Sequence, residues 1–135
     1  MPMKIKVGDK ASQKKSFTDF EIKQFAKLSN DSNPIHHDLQ VAQRAGFDRP
    51  IVQGFLVAGL FGGLMGSELP GKGTLYMGHN MSFKAPVYVD EEINAVIEVI
   101  SVREDKPIVI FRTIAYKPDG TIAIDGEAVM MVREV

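Results

Sequence analysis

The chain has no cysteine among its 135 residues. That excludes disulfides, thiol catalysis and thiolate metal sites, and fits a reducing compartment. It also lacks charge of one sign: 16 basic residues nearly cancel 17 acidic ones, with no long run of either. No nucleic-acid footprint is therefore expected. Long apolar runs are missing too. The longest, GFLVAGLFGGLMG at 54–66, is shorter than the roughly 20 helical residues that span a bilayer. The N-terminal MPMKIKVGDK has no apolar core of a secretion signal. No repeat, linker or low-complexity tract occurs. A single cytoplasmic domain over residues 1–135, free of membrane and nucleic acid, is the expectation. A chain of this length buries roughly two thirds of its unfolded surface, so its core needs no cross-links.

Residues 17–29 carry the clearest helix signal. Thr18 stands three residues before Glu21, the spacing of a capping box, and Phe17 and Ile22 stand where a hydrophobic staple places them. Ile22, Phe25, Ala26 and Ser29 share one face. A second, shorter helix is predicted from Asp38 as N-cap to Gly46 at its C-terminal side. The third, over 53–67, is apolar all round and is expected to be buried on nearly all sides. Its interior Gly59, Gly62 and Gly63 each cost about 1 kcal/mol against alanine. Close approach of another backbone is the expected compensation.

After LPGKG the periodicity becomes two. MSFKAPV puts Met81, Phe83 and Ala85 on one face, and EEINAVIEVI puts Ile93, Ala95, Ile97 and Val99 inward. PIVIFRTIAY and TIAIDGEAVMMV follow, bounded by the turn sequences REDKP and KPDG, and KASQKKSF can add an early strand. An α+β domain follows: a curved antiparallel sheet of about five strands wrapped around an apolar helix. Its edges are places for a second copy to pair.

Chemistry concentrates in NDSNPIHHDL, residues 30–39, which holds two carboxylates and two of the three histidines. Asp31 and His36 lie in an irregular segment whose turn Asn33 and Pro34 shape. If they converge, they can share a water, remove one proton and return another. The alternative is that Asp31 caps the loop and His36 faces solvent. Gly54 adds a second element. It opens the third helix, where free N–H groups and the positive dipole end can hold a carbonyl oxygen as negative charge develops. Its alternative role is to let the chain enter the helix.

Other patterns lead nowhere. GSELPGKGT has Gly66, Gly71 and Lys72 spaced as in a phosphate loop, but Gly73 replaces the required Ser or Thr and a helix, not a strand, precedes it. No nucleophile elbow occurs. His36, His37 and Asp38 are a poor metal set because adjacent side chains diverge, so no metal is expected. His79 alone reads as structural or exposed.

The stretch SNDSNPIHHDLQVAQRAGFDRPIVQG, with the Gly-rich helix after it and LPGKG, FKAPV and REDKP beyond, resembles the MaoC-like (R)-specific enoyl-CoA hydratases over nearly the whole chain. It is most similar to the short single-domain hydratases that supply (R)-3-hydroxyacyl-CoA for polyhydroxyalkanoate synthesis. The resemblance implies a hot-dog fold, a homodimer and reversible hydration of a trans-2-enoyl-CoA, with no cofactor beyond the coenzyme A of the substrate. Carried across residue by residue, Asp31 and His36 become the catalytic pair. The Gly54 N–H becomes the oxyanion donor, and Asn33 and Pro34 shape the loop. Lys84, with Lys72, is a candidate contact for CoA phosphates or an acidic carrier; solvated lysines are the alternative. Two departures stand out: Gln53 where relatives often carry His, and Gly62 where some carry Ser, which would enlarge the acyl pocket. A (3R)-hydroxyacyl-carrier-protein dehydratase would use the same chemistry. A hot-dog thioesterase is disfavoured because Gly54–Ser67 contains no Asp or Glu. A non-catalytic thioester-binding protein is disfavoured by retention of both Asp31 and His36.

Overall fold

The computed structural model describes residues 4–135. Five strands form one antiparallel sheet: β1 (Lys10–Lys15), β2 (Thr74–Phe83), β3 (Ile93–Val102), β4 (Ile108–Tyr116) and β5 (Ile122–Val132). Their order is β1-β3-β4-β5-β2, so β1 and β2 are the edges. The helices are α1 (Asp19–Ser29), α2 (Leu39–Arg44) and α3 (Gly54–Ser67), with a single 3-10 turn at Pro34–His36. The sheet curves over α3 without closing, which is the hot-dog arrangement.

Alternation fixes β3. Ile93, Ala95, Ile97 and Val99 are all fully buried, while Asn94, Val96 and Glu98 point the other way. From the helix side, Val57, Phe61, Leu64 and Met65 meet them. Phe61 is fully buried, and truncating such a residue to Ala costs about 3–5 kcal/mol. The α1 start forms as its sequence demands. Thr18 Oγ1 accepts from the Glu21 N–H, and Glu21 Oε1 accepts from the Thr18 N–H. Lys15 donates to the other Glu21 oxygen at 2.6 Å, and this hydrogen bond is the main reason that the Glu21 carboxyl titrates below its usual range. The staple pair Phe17 and Ile22 is buried. Asp38 caps α2 through the Gln40 and Val41 N–H groups.

Three expectations fail. Strand β2 begins at Thr74 and ends at Phe83, rather than running through 81–87. A bulge between Tyr76 and Gly78 breaks the alternation that would have revealed its first half. Phe83 is half exposed instead of facing inward with Met81. Second, α3 is not buried on all sides. Phe55 is 69% exposed, and Gly59, Gly63 and Gly66 share its open face. Third, no backbone of the described residues lies within 4 Å of a side chain placed at Gly59, Gly62 or Gly63. The glycine cost is therefore not offset inside one protomer.

Candidate active site

The turn after α1 is built entirely from local hydrogen bonds. Asn30 takes a left-handed backbone, φ 59°, and ends the helix. The Asp31 N–H donates to the Ala26 carbonyl. Asp31 Oδ1 then accepts from the Asn33 N–H at 3.0 Å, and Asn33 Oδ1 accepts from the Ile35 N–H at 3.2 Å. Pro34 opens the 3-10 turn that carries His36 inward. Asn33 and Pro34 thus set the backbone of this turn.

These bonds bring Asp31 and His36 together. Asp31 Oδ2 lies 3.5 Å from His36 Nε2, the carboxylate partly open to solvent and the imidazole buried. His36 Nδ1 lies 2.7 Å from the Ile51 carbonyl. A carbonyl only accepts, so Nδ1 carries the hydrogen and, in the neutral ring, Nε2 is bare. A bare nitrogen facing a carboxylate oxygen needs one shared proton or one bridging water. The Ile51 N–H returns the contact by donating to the Ile35 carbonyl at 3.3 Å, so the turn and the approach to α3 are sewn together.

Gly54 is the first residue of α3. The Gln53 carbonyl accepts from the Leu56 and Val57 N–H groups. Among the described residues, neither the Gly54 nor the Phe55 N–H has a partner. A side chain at 54 would place its Cβ 2.6 Å from Phe83 Cε1, so a glycine lets the Phe83 ring lie against the helix start. Gly54 and Lys84 line one largely apolar hollow of about 460 Å³ with Phe47, Phe55, Phe83 and Ile124. Asp31 lines another, of about 420 Å³, with Lys27, Asn30 and His37. Asp31–His36 and the helix start are linked through Ile51, whose carbonyl meets His36 and whose side chain lines the hollow beside Gly54. Lys72 lies on the exposed turn after α3, apart from both. Among the described residues, no three His, Cys, Asp or Glu side chains stand close enough to share a metal.

Two features escaped the sequence. His79 stacks on Tyr76. Its Nδ1 lies 2.7 Å from the Tyr76 hydroxyl, and its Nε2 lies 2.8 Å from Oγ1 of the fully buried Thr113. Desolvation pushes the Tyr76 hydroxyl up to about 12 and pulls His79 below its usual value. Both are thus neutral near pH 7, and the Tyr76 O–H can donate to Nδ1 while Nε2–H donates to Thr113. The Tyr76 ring also lies 3.4 Å from where a Cβ on Gly62 would sit. A side chain at 62 would therefore stand in ordinary contact with that ring. The second feature is Gln53, which is 3% exposed and donates from Nε2 to the Ile22 carbonyl at 2.9 Å.

Known proteins share this fold. The family profile described as MaoC like domain matches residues 4–116. An (R)-specific enoyl-CoA hydratase from Aeromonas caviae is 48% identical over 126 residues, covering 93% of this chain and 94% of the relative. A mitochondrial 3-hydroxyacyl-[acyl-carrier-protein] dehydratase from Solanum lycopersicum is 37% identical over 95% of this chain and 78% of its own length. The solved (R)-hydratase from A. caviae involved in PHA biosynthesis superposes with a TM-score of 0.93 at 46% identity, covering 96% of this chain and 98% of that one.

Proposed function

The chain belongs to the MaoC-like domain family, and from that premise we propose that it is an (R)-specific enoyl-CoA hydratase. It is a hydro-lyase that reversibly adds water to a trans-2-enoyl-CoA to give the (R)-3-hydroxyacyl-CoA. The observation that carries the reading is Asp31 facing a buried His36 whose tautomer a backbone carbonyl fixes.

In this mechanism Asp31 and His36 hold one water and act as a unit. The water oxygen bonds to the β-carbon while its proton passes to the pair. The electron pair of the α–β double bond moves to the thioester oxygen as enolate charge. The Gly54 N–H, at the positive end of α3, meets that charge. The enolate then collapses and takes a proton from the pair at the α-carbon. No redox step occurs, and no cofactor is consumed; coenzyme A belongs to the substrate. Lys84, exposed at the mouth of the hollow beside Gly54, is the candidate contact for CoA phosphate. Edge strand β2 exposes Leu75, Tyr76, Met77 and Phe83. That edge supports a homodimer in which a second β2 continues the sheet. No described helix is long and apolar enough to cross a membrane, and we assign a cytoplasmic location. A carrier-protein dehydratase is the second reading, favoured by the 37% identity to the tomato enzyme.

The test is loss of enoyl-thioester absorbance when purified protein meets crotonyl-CoA, with a chiral coupling enzyme reading the product. Loss giving the (R)-alcohol with the thioester intact supports the hydratase. Release of free thiol sinks it in favour of a thioesterase. Turnover of the carrier-bound thioester alone favours the second reading.

A further inference from the structure

Gln53 is an unusual residue to bury at a helix start. It occupies the N-cap of α3, with φ −58° and ψ 132°, yet its side chain makes no cap hydrogen bond. Instead Nε2 reaches back 31 positions to the Ile22 carbonyl, and Oε1 is buried with no partner. Flipping the amide would not help, because Oε1 would then face another acceptor. An orphaned buried carbonyl costs about 1–3 kcal/mol, whereas an apolar side chain of similar shape would avoid that cost. The residue is therefore poorly suited to stability alone.

We propose that Gln53 is a positioning residue that holds the start of α3 in register with the acid–base turn and keeps the end of that helix uncapped for the substrate. The proposal rests on reading Gly54 as the oxyanion donor, and deepens that reading. Ile22 belongs to α1, and one turn later the Ala26 carbonyl accepts from Asp31. Gln53 precedes Gly54 directly. One hydrogen bond in apolar surroundings therefore ties the element that carries Asp31 to the element that carries the amide donor. A short capping residue at 53 would behave differently. It would accept from the Phe55 or Leu56 N–H and lay its oxygen over the helix end, where a thioester oxygen has to arrive.

Three variants decide this. Gln53→Met fills the same space and removes both tether and orphan. It should melt no lower than wild type and should lose about tenfold or more in kcat for crotonyl-CoA, the scale of a misplaced reacting group, with KM within about twofold. Gln53→His retains a side-chain N–H donor and should recover most of that kcat. Gln53→Asn is short enough to cap α3 and should slow hydrogen exchange at the Phe55 or Leu56 amide, an effect read without substrate. An unchanged kcat in Gln53→Met overturns the proposal. So does a kcat that follows the melting temperature across Met and His variants alike, or unaltered exchange in Gln53→Asn. If the wild-type protein fails to hydrate crotonyl-CoA, the functional reading falls, and the exchange result still decides what Gln53 does.

Discussion

Helices α1 and α2 begin closed, and α3 begins open. Thr18 and Glu21 cap each other at α1, and Asp38 accepts two N–H groups at α2. At α3 a poor capping residue turns its side chain away, and the first N–H groups are left without partners. All three helices come from one stretch of chain, residues 19–67. Under the proposed mechanism the contrast separates donors used for folding from donors left for the substrate, at the loss of about 1 kcal/mol of capping.

The largest test of that contrast lies in the turn between the closed helices, where one carboxylate does both jobs. Asp31→Asn keeps an Oδ1 to accept from Asn33, so the turn should persist while hydration falls by about 100-fold or more. His36→Gln should match it. Folded variants with near-normal rates would remove both residues from the mechanism.

Next comes the open end itself. Gly54→Pro deletes the N–H at a helix position where proline is tolerated, and the extended Gln53 backbone already suits a following proline. Gly54→Ala meets the same Phe83 ring but keeps the donor. The proline variant should be slower than the alanine variant by about 10²–10³-fold in kcat, the scale of one lost oxyanion donor. Equal rates would mean that Gly54 serves only chain entry.

At the closed ends the effect should be on folding alone. Thr18→Ala should destabilise by about 1 kcal/mol in denaturant unfolding, and the hydration rate per folded molecule should not change. The smallest expected effect is at His79. Burial lowers its folded pKa below the unfolded 6.5, so near and below that pH the unfolded chain binds more protons. The stability tied to neutral His79 is full above about pH 6.5 and declines as the pH falls. His79→Gln should flatten that part of the stability–pH curve; an unchanged slope would assign it to other groups.

What the sequence revealed follows from how local each interaction is. The α1 cap, the staple, the Asp38 cap and the inward face of β3 all depend on neighbours two to five residues away, and each stands where its spacing predicts. Asp31 and His36 are legible because only four residues, one of them a proline, separate them. Gln53 with Ile22, and His79 with Thr113, span 31 and 34 positions. No local pattern encodes such pairs, which exist only once α1 meets the start of α3 and β5 brings β2 near β4. The open glycine face of α3 was misjudged for a related reason. Hydropathy reports that a helix avoids water and does not say which molecule removes it, and that face is where a second protomer would matter most.

The proton on His36 Nδ1 is specified by the carbonyl of residue 51, and every amino acid supplies the same carbonyl. The choice of reactive nitrogen is thus written in the main chain, beyond the reach of ordinary side-chain substitution. A substitution at residue 51 would reshape the wall of the hollow beside Gly54 and leave unchanged which nitrogen of His36 carries the hydrogen.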